Sequence, residues 1–212
     1  MSNAKPSHQL PYFYALIAMV CLYGSFQGLT SAVLPASQVY RLWEPGGPWR
    51  PEKKLAMITA DMLGSLAVHL LTMLVLLCYL LLVLRLDFGN QIGYLLLTVL
   101  VGSIVGVSLG ALVGAALRIK VEAKTAILIT LSLACCFLAG LMVEGISYAI
   151  QQNAPAAAWL NPAARISDAF YCLYYYDNHT RYFMDLGVLC AMAAIFGLGA
   201  MACLRRRKYE SI

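Results

Sequence analysis

Five long apolar segments, separated by short polar stretches, dominate the sequence. They occupy residues 11–34, 55–84, 92–117, 125–148 and 183–204. A helix that crosses the roughly 30 Å hydrocarbon layer of a bilayer needs about 20 mostly apolar residues, and each segment reaches that length. None shows the apolar–polar alternation of a membrane β-barrel strand. We therefore predict an all-α membrane bundle of five transmembrane helices.

The low charge content supports a membrane environment. Only 12% of the residues are charged, whereas a soluble domain carries about 25%. The net charge of +5 does not predict a nucleic-acid partner, because the basic residues cluster between apolar segments, as they do in the loops of membrane proteins.

The distribution of basic residues predicts the orientation of the chain. Eleven of the fifteen Lys and Arg residues lie in three stretches, 35–54, 118–124 and 205–208. Alternate connections of a helix bundle lie on the same side of the membrane, and the basic side is normally cytoplasmic. We expect the N-terminus outside and the C-terminus in the cytoplasm. Residues 1–10 are expected to be a tail or tag remnant, and residues 11–212 a single membrane domain.

The third apolar segment carries glycine at every fourth position: Gly102, Gly106, Gly110 and Gly114. This spacing places the four glycines on one helix face, where small residues let another helix backbone approach closely. Two interpretations follow from the spacing. The face packs within the chain, or it slides against a neighbouring helix when the bundle changes conformation.

The connection over residues 151–182, predicted to lie outside, contains a short helix. Asn161 is a favourable N-cap, and Pro162 suits the first helical position. Arg165 and Asp168 have the i, i+3 spacing of an ion pair along one helix. Tyrosines in this connection are typical of an aromatic belt at the membrane surface; the alternative is a re-entrant or interfacial helix that caps an exit path.

Three ionisable residues in or near the predicted spans are candidates for a polar role: Asp61, His69 and Glu144. A charged side chain at a helix centre costs about 2.5–3.5 kcal/mol on insertion scales. Asp61 falls near the inner interface and Glu144 near an outer end. Because no two acidic residues lie together at mid-depth, the sequence does not predict a proton relay. We interpret Asp61 as a packing or hydrogen-bonding residue.

Motifs for catalysis and metal binding are missing from the sequence. It contains no P-loop, GxSxG or HExxH pattern, so we predict no catalytic residue and no cofactor bound by this chain. The seven cysteines show no CxxC or Cys/His spacing. Most of them lie in apolar segments, where free cysteine behaves as a small hydrophobe, and no metal site is predicted.

In its order of segments the chain resembles the membrane subunit of an ABC exporter, the ABC-2 type transporter permease. The stretches that carry the resemblance are residues 86–89, 102–114, 120–124, 135–142, 154–155, 160–163, 166–170 and 204–212. Permeases of this family have six spans, and the five spans here correspond to the last five. The resemblance implies that the family's first span and its extracellular domain have no counterpart in this chain.

The resemblance also implies roles for two connections. Residues 36–54 correspond to the cytoplasmic elbow where an ABC ATPase subunit couples, which makes Arg41, Leu42, Trp43, Trp49 and Arg50 the candidate coupling residues. Read from the residues alone, 36–44 forms a short amphipathic helix that rests on lipid or docks a soluble partner. The connection over 154–182 corresponds to short extracellular helices near the exit.

The function expected from this resemblance is that of a permease subunit of an ATP-driven ABC exporter, a multi-pass protein of a bacterial inner or plasma membrane. Its expected partners are an ABC ATPase subunit that uses ATP, a second permease copy, identical or related, and membrane lipid. The alternative is a non-transporting scaffold or assembly protein, or a truncated permease fragment. A membrane-embedded enzyme is a third hypothesis.

Overall fold

The computed structural model describes residues 10–33, 51–85, 91–143, 145–175 and 180–206. These residues form eight α-helices and no strand. In chain order the helices are α1 (Leu10–Val33), α2 (Pro51–Cys78), α3 (Ile92–Ala116), α4 (Val121–Leu138), α5 (Ile146–Asn153), α6 (Pro155–Leu160), α7 (Pro162–Tyr175) and α8 (Thr180–Arg206). The end of α2 continues as a π-helical segment, Tyr79–Val83.

Five of these helices are long and apolar enough to cross a membrane: α1, α2, α3, α4 and α8. The predicted all-α bundle with five transmembrane helices is therefore confirmed. Helices α5, α6 and α7 are shorter and together form the connection between α4 and α8.

The fourth span differs from its predicted range of 125–148. Helix α4 ends at Leu138, and Gly140 and Gly145 then adopt φ values of +95° and +85°. This left-handed region favours glycine and ends helices. The predicted end of this span was therefore wrong, because an apolar run was read as continuous through two helix-breaking glycines.

Helices α3 and α8 run in the same direction. Near their starts, the rings of Tyr94 and Tyr182 are 5.3 Å apart. Near their ends, a Cβ built on Gly199 would lie 3.0 Å from Leu112 Cδ1. The contacts between α1 and α3, described below, have the same sense. All three helices thus begin at one end of the bundle, here named the amino-terminal end, and finish at the other, the carboxyl-terminal end.

Helices α1 and α3 form the centre of the bundle. More than half of the residues in their apolar windows are buried, against less than a quarter in α2, α4 and α8. The three outer helices expose large apolar side chains, such as Leu71 of α2 and Leu198 of α8. In a bilayer such side chains contact lipid, so this exposure is normal for a membrane protein.

Lysine 124 ties the start of α4 to the end of α3. Its side chain is buried, and Nζ donates a hydrogen bond of 2.9 Å to the carbonyl oxygen of Gly114. The last four carbonyls of a helix have no partner within the helix. Lys124 therefore satisfies a buried acceptor at the carboxyl-terminal end of the bundle.

The predicted orientation is testable by fusion to reporters. Alkaline phosphatase folds only outside the cytoplasm, where its disulfides form. We expect high phosphatase activity for a fusion after Asn153 and low activity for a fusion after Lys120. Green fluorescent protein fused after Ile212 should fluoresce. High phosphatase activity at Lys120 would reverse the orientation.

Candidate functional site

The glycines of α3 lie against the backbone of α1. A Cβ built on Gly106 would lie 2.2 Å from the carbonyl oxygen of Cys21, and one built on Gly110 would lie 1.8 Å from that of Ser25. Both distances are far below van der Waals contact, so only glycine fits at these two positions. The two helices approach each other at the level of their backbones.

Both ends of the glycine row also face neighbouring side chains. A Cβ on Gly114 would lie 2.8 Å from Cβ of Ala32 on α1, and one on Gly102 would lie 2.9 Å from Cδ1 of Ile166 on α7. The structure thus places all four predicted glycines in contacts within the chain. Helix packing of this kind relies on van der Waals contact and weak Cα–H···O bonds.

Helix α1 contributes a glycine to the same contact that the sequence reasoning missed. A Cβ on Gly28 would lie 1.9 Å from the carbonyl oxygen of Val107 on α3. The signal was present in the sequence, because Gly24, Gly28 and Ala32 also recur at intervals of four. The two small-residue rows face each other.

Helix α7 is inserted into the amino-terminal end of the bundle. All residues from Pro162 to Phe170 are buried. Ile166 contacts Gly102, which lies ten residues into α3, or about 15 Å along its axis. Phe170 stacks on Tyr14 of α1 with ring centroids 5.5 Å apart. Helix α7, the last part of the connection between α4 and α8, is therefore part of the packed bundle.

The start of α7 has the cap that the sequence predicts. The Oδ1 atom of Asn161 accepts a hydrogen bond of 2.9 Å from the backbone N–H of Ala163, and Pro162 is the first helical residue. The Asn161 side chain also donates from Nδ2 to the carbonyl oxygen of Cys135, at 2.7 Å. One side chain thus caps α7 and fastens it to the end of α4.

Arg165 stands at the centre of a buried ion-pair cluster. Its Nη2 is 2.6 Å from Oδ2 of Asp168, the i, i+3 pair that the sequence predicts. Its Nη1 is 2.6 Å from Oδ1 of Asp185 on α8. The Arg165 and Asp185 side chains are 3% and 0% exposed. The sequence analysis did not identify Asp185 as a partner of Arg165.

Two further side chains complete this cluster, which we name the Arg165 cluster. The ring of Trp159 lies 4.6 Å from Cζ of Arg165, within the range of a cation–π contact. Gln151 donates from Nε2 to Oδ2 of Asp168 at 3.3 Å. The cluster therefore joins α5, α6, α7 and α8 at the amino-terminal end.

Burial shifts the pKa values of two titrating groups of α7. It raises the pKa of the Asp168 carboxyl above its ordinary value, while Arg165 and Arg181 oppose that shift. Burial also raises the pKa of the Cys172 thiol to about 11, with the nearby Asp185 acting in the same direction. Cys172 is therefore a neutral thiol near pH 7, without the thiolate that nucleophilic or metal chemistry requires.

A comparison with models of protein families matches residues 3–202 to the family described as ABC-2 family transporter protein. The match covers nearly the whole chain and agrees with the five-span bundle. The chain belongs to the ABC-2 transporter family. It is a multi-pass membrane protein and a permease component of an ABC transporter. Comparisons with curated proteins and with solved structures gave no match.

The structure of this ABC-2 protein describes two of the three predicted intramembrane polar residues, and these two lie about two helical turns apart on α2. His69 of α2 is buried, and its ring lies on α1, since a Cβ on Gly24 would be 3.0 Å from His69 Nε2. Asp61, also on α2, is half-buried and lies eight residues away. Glu144 lies outside the described residues. No group of three or more potential metal ligands occurs in the part of the chain that the structure describes.

The five predicted coupling residues lie outside the described part of the ABC-2 chain. They are Arg41, Leu42, Trp43, Trp49 and Arg50. Their connection joins α1 to α2 at the carboxyl-terminal end of the bundle, where α1 ends and α2 begins. Their role in coupling remains a prediction from the sequence.

The backbone contact between α1 and α3 predicts a strong effect of one methyl group. Gly110→Ala should lower stability by about 1–3 kcal/mol, the usual cost of overpacking, because the new Cβ meets the Ser25 carbonyl. Gly187→Ala on α8 is the matched control, since a Cβ there has no neighbour within 4 Å. Thermal unfolding in detergent measures both variants. Equal midpoints would contradict the close contact.

The Arg165 cluster predicts a large loss of folding stability when one of its carboxylates is removed. Asp185→Ala leaves a buried arginine with one partner, and breaking a buried pair costs about 3–5 kcal/mol. The exposed Glu122→Gln serves as a control for the loss of a negative charge. In a double-mutant cycle with Arg165→Met, the combined loss should be smaller than the sum of the single losses. Additive losses would show that the two side chains do not interact.

Proposed function

We propose that this chain is the permease subunit of an ATP-driven ABC exporter. It forms the membrane path, and a separate ABC ATPase subunit supplies the energy. The observation that carries the proposal is the family match over residues 3–202 on a bundle of five membrane-spanning helices. No P-loop occurs in the sequence, so ATP is expected to bind to the partner and not to this chain.

The packing of the bundle supports a mechanism in which parts move as rigid units. Transport requires at least two arrangements of helices whose populations nucleotide changes. Because α1 and α3 touch at their backbones through Gly28, Gly106 and Gly110, sliding one past the other would separate many contacts at once. We expect these two helices to move together.

The outer helices supply the surface for a second permease copy and for lipid. Helix α2 exposes Leu63 and Leu71, and the π-helical segment that follows it exposes Leu82. Less than a fifth of the apolar window of α8 is buried. In the proposed complex two permeases, identical or related, enclose the path between them. The remaining apolar surface faces the lipid of a bacterial inner or plasma membrane.

Coupling to the ATPase is assigned to the carboxyl-terminal end of the bundle. The connection between α1 and α2 emerges there and carries Arg41 and Trp43. In the sequence, eleven of the fifteen Lys and Arg residues lie in the stretches that adjoin this end of the described helices, which supports a cytoplasmic location. A soluble ATPase that docks at this end would act directly on α1, one of the two central helices.

The proposal predicts that this chain alters ATP turnover by its ATPase subunit. The two proteins should co-purify from membranes, and adding the chain to the ATPase in liposomes should change turnover. Trp43→Ala should reduce that change, because it removes an aromatic side chain from the docking region. The measurement is phosphate release per ATPase, with and without the permease.

Tyr148→Ala is the matched control for this experiment. Tyr148 is an exposed aromatic residue on α5, at the opposite end of the bundle, and its removal should leave turnover unchanged. If the ATPase neither co-purifies nor responds to the intact chain, the exporter proposal is wrong and a non-transporting scaffold becomes the better hypothesis.

A further inference from the structure

A cavity at the amino-terminal end of the bundle has no role in the function proposed above. It has a volume of about 540 Å³ and lies beside the Arg165 cluster, among α5, α6, α7 and α8. Ligand pockets commonly have volumes of about 300–1,000 Å³. The cavity is therefore large enough for a small molecule or for the headgroup of a lipid.

The charged side chains on the wall of the cavity are cationic. Arg165 and Arg181 both line it, whereas the carboxylates of Asp168 and Asp185 are buried and are not among the lining residues. Arg165 uses both of its Nη atoms on these carboxylates, and its Nε is buried. The charge of Arg165 is therefore offset by two carboxylates within the cluster, and its Nε–H has no hydrogen-bond partner among the described residues.

Arg181 differs from Arg165 in this respect. It is exposed, and within the described ranges no carboxylate lies at salt-bridge distance from it. It acts on Asp168 and Asp185 only through longer-range attraction. An arginine in this position offers a planar set of N–H donors that fits a phosphate group. Gln151 and Thr180 add polar groups to the same wall.

The rest of the wall is apolar and lies at the edge of the membrane-spanning layer. Trp159 and Met184 line the cavity and are 40% and 51% exposed. The membrane-spanning part of α8 begins at Thr180, so Arg181 lies at its polar edge and Met184 one turn deeper. This sequence of groups matches an amphiphile with an anionic head and an apolar chain.

We propose that this cavity binds the phosphate-bearing headgroup of an anionic amphiphile. Arg181 is the residue that holds the phosphate, and Trp159 and Met184 contact the adjoining apolar part. The binding is noncovalent and does not depend on ATP, so its test is independent of the test of the exporter proposal. A lipid headgroup and a soluble phosphate ester share this chemistry, and the experiment separates them.

Trp159 provides a local reporter for the test. The sequence has three tryptophans. Trp43 and Trp49 belong to the predicted coupling connection, residues 36–54, and Trp159 lies beside the cavity. In the full chain carrying Trp43→Phe and Trp49→Phe, fluorescence comes from Trp159 beside the cavity. Two series of nanodiscs are prepared, one with brominated phosphatidylglycerol and one with brominated phosphatidylcholine, with the bromine on the acyl chain. Both series cover the same range of mole fractions of the brominated lipid. Bromine quenches only a tryptophan that lies close to the lipid that carries it.

We expect stronger quenching by the brominated phosphatidylglycerol, and a half-maximal mole fraction about tenfold lower than for phosphatidylcholine. Both lipids carry a phosphate, but the positively charged choline of phosphatidylcholine is repelled by Arg181. Arg181→Gln should abolish the difference, and Arg181→Lys should keep part of it. Arg118→Gln, an exposed arginine at the opposite end, should leave it intact. High salt should reduce the difference by screening.

Two outcomes would overturn the proposal. The first is equal quenching by the two lipids in the chain that retains Arg181. The second is an unchanged preference for phosphatidylglycerol in the Arg181→Gln variant. Because the reporter is the same in all variants, its unfolding transition verifies that each one is folded. If sn-glycerol 3-phosphate or inorganic phosphate at millimolar concentration reverses the quenching, the site takes a soluble phosphate. If neither does, the ligand is the lipid.

Discussion

The close approach of α1 and α3 determines the arrangement of the other helices. Within a bilayer no hydrophobic force separates helix from lipid, so helices associate through contact area and weak polar bonds. Opposed rows of small residues give α1 and α3 more contact than bulky side chains would, with Gly106 and Gly110 seated on α1 carbonyls. The pair forms a stable centre on which α2, α4 and α8 pack with a fraction of their surfaces.

At the amino-terminal end the bundle is held by polar contacts instead. Arg165 bridges α7 and α8, and Asn161 links α7 to α4. The ion pair is buried and the hydrogen bond is part-buried, and each would cost free energy if one partner were removed. Close helix packing therefore stabilises the centre of the bundle, whereas ion pairs and hydrogen bonds stabilise the amino-terminal end. Contacts of the second kind have two discrete states, made or broken, which suits the opening of this end in the proposed transport cycle.

Much of this architecture follows from the sequence, because its determinants are local. Segment length defines five spans, glycine spacing defines a contact face, and Asn161 followed by Pro162 defines the start of α7. The pairing of Arg165 with Asp185 is different, because 20 residues separate the partners and no local pattern joins them. The end of α4 was misplaced because hydropathy does not register the backbone conformation of Gly140 and Gly145. The contact between the His69 ring of α2 and Gly24 of α1 likewise depends on how the two helices pack, which the sequence pattern does not show.

The contact between Lys124 and the end of α3 has a consequence for how the membrane orients the chain. Aligned peptide dipoles leave partial negative charge at the carboxyl end of a helix, and a cation there is stabilising. Lys124 lies in the basic turn whose charge predicts the cytoplasmic side, and its Nζ contacts a carbonyl in the last turn of α3. In the predicted orientation the same positive charge would act on topology during insertion and on the end of α3 after folding. The contact lies within the chain and is the same for either direction of insertion, so it stabilises the folded bundle without selecting its orientation.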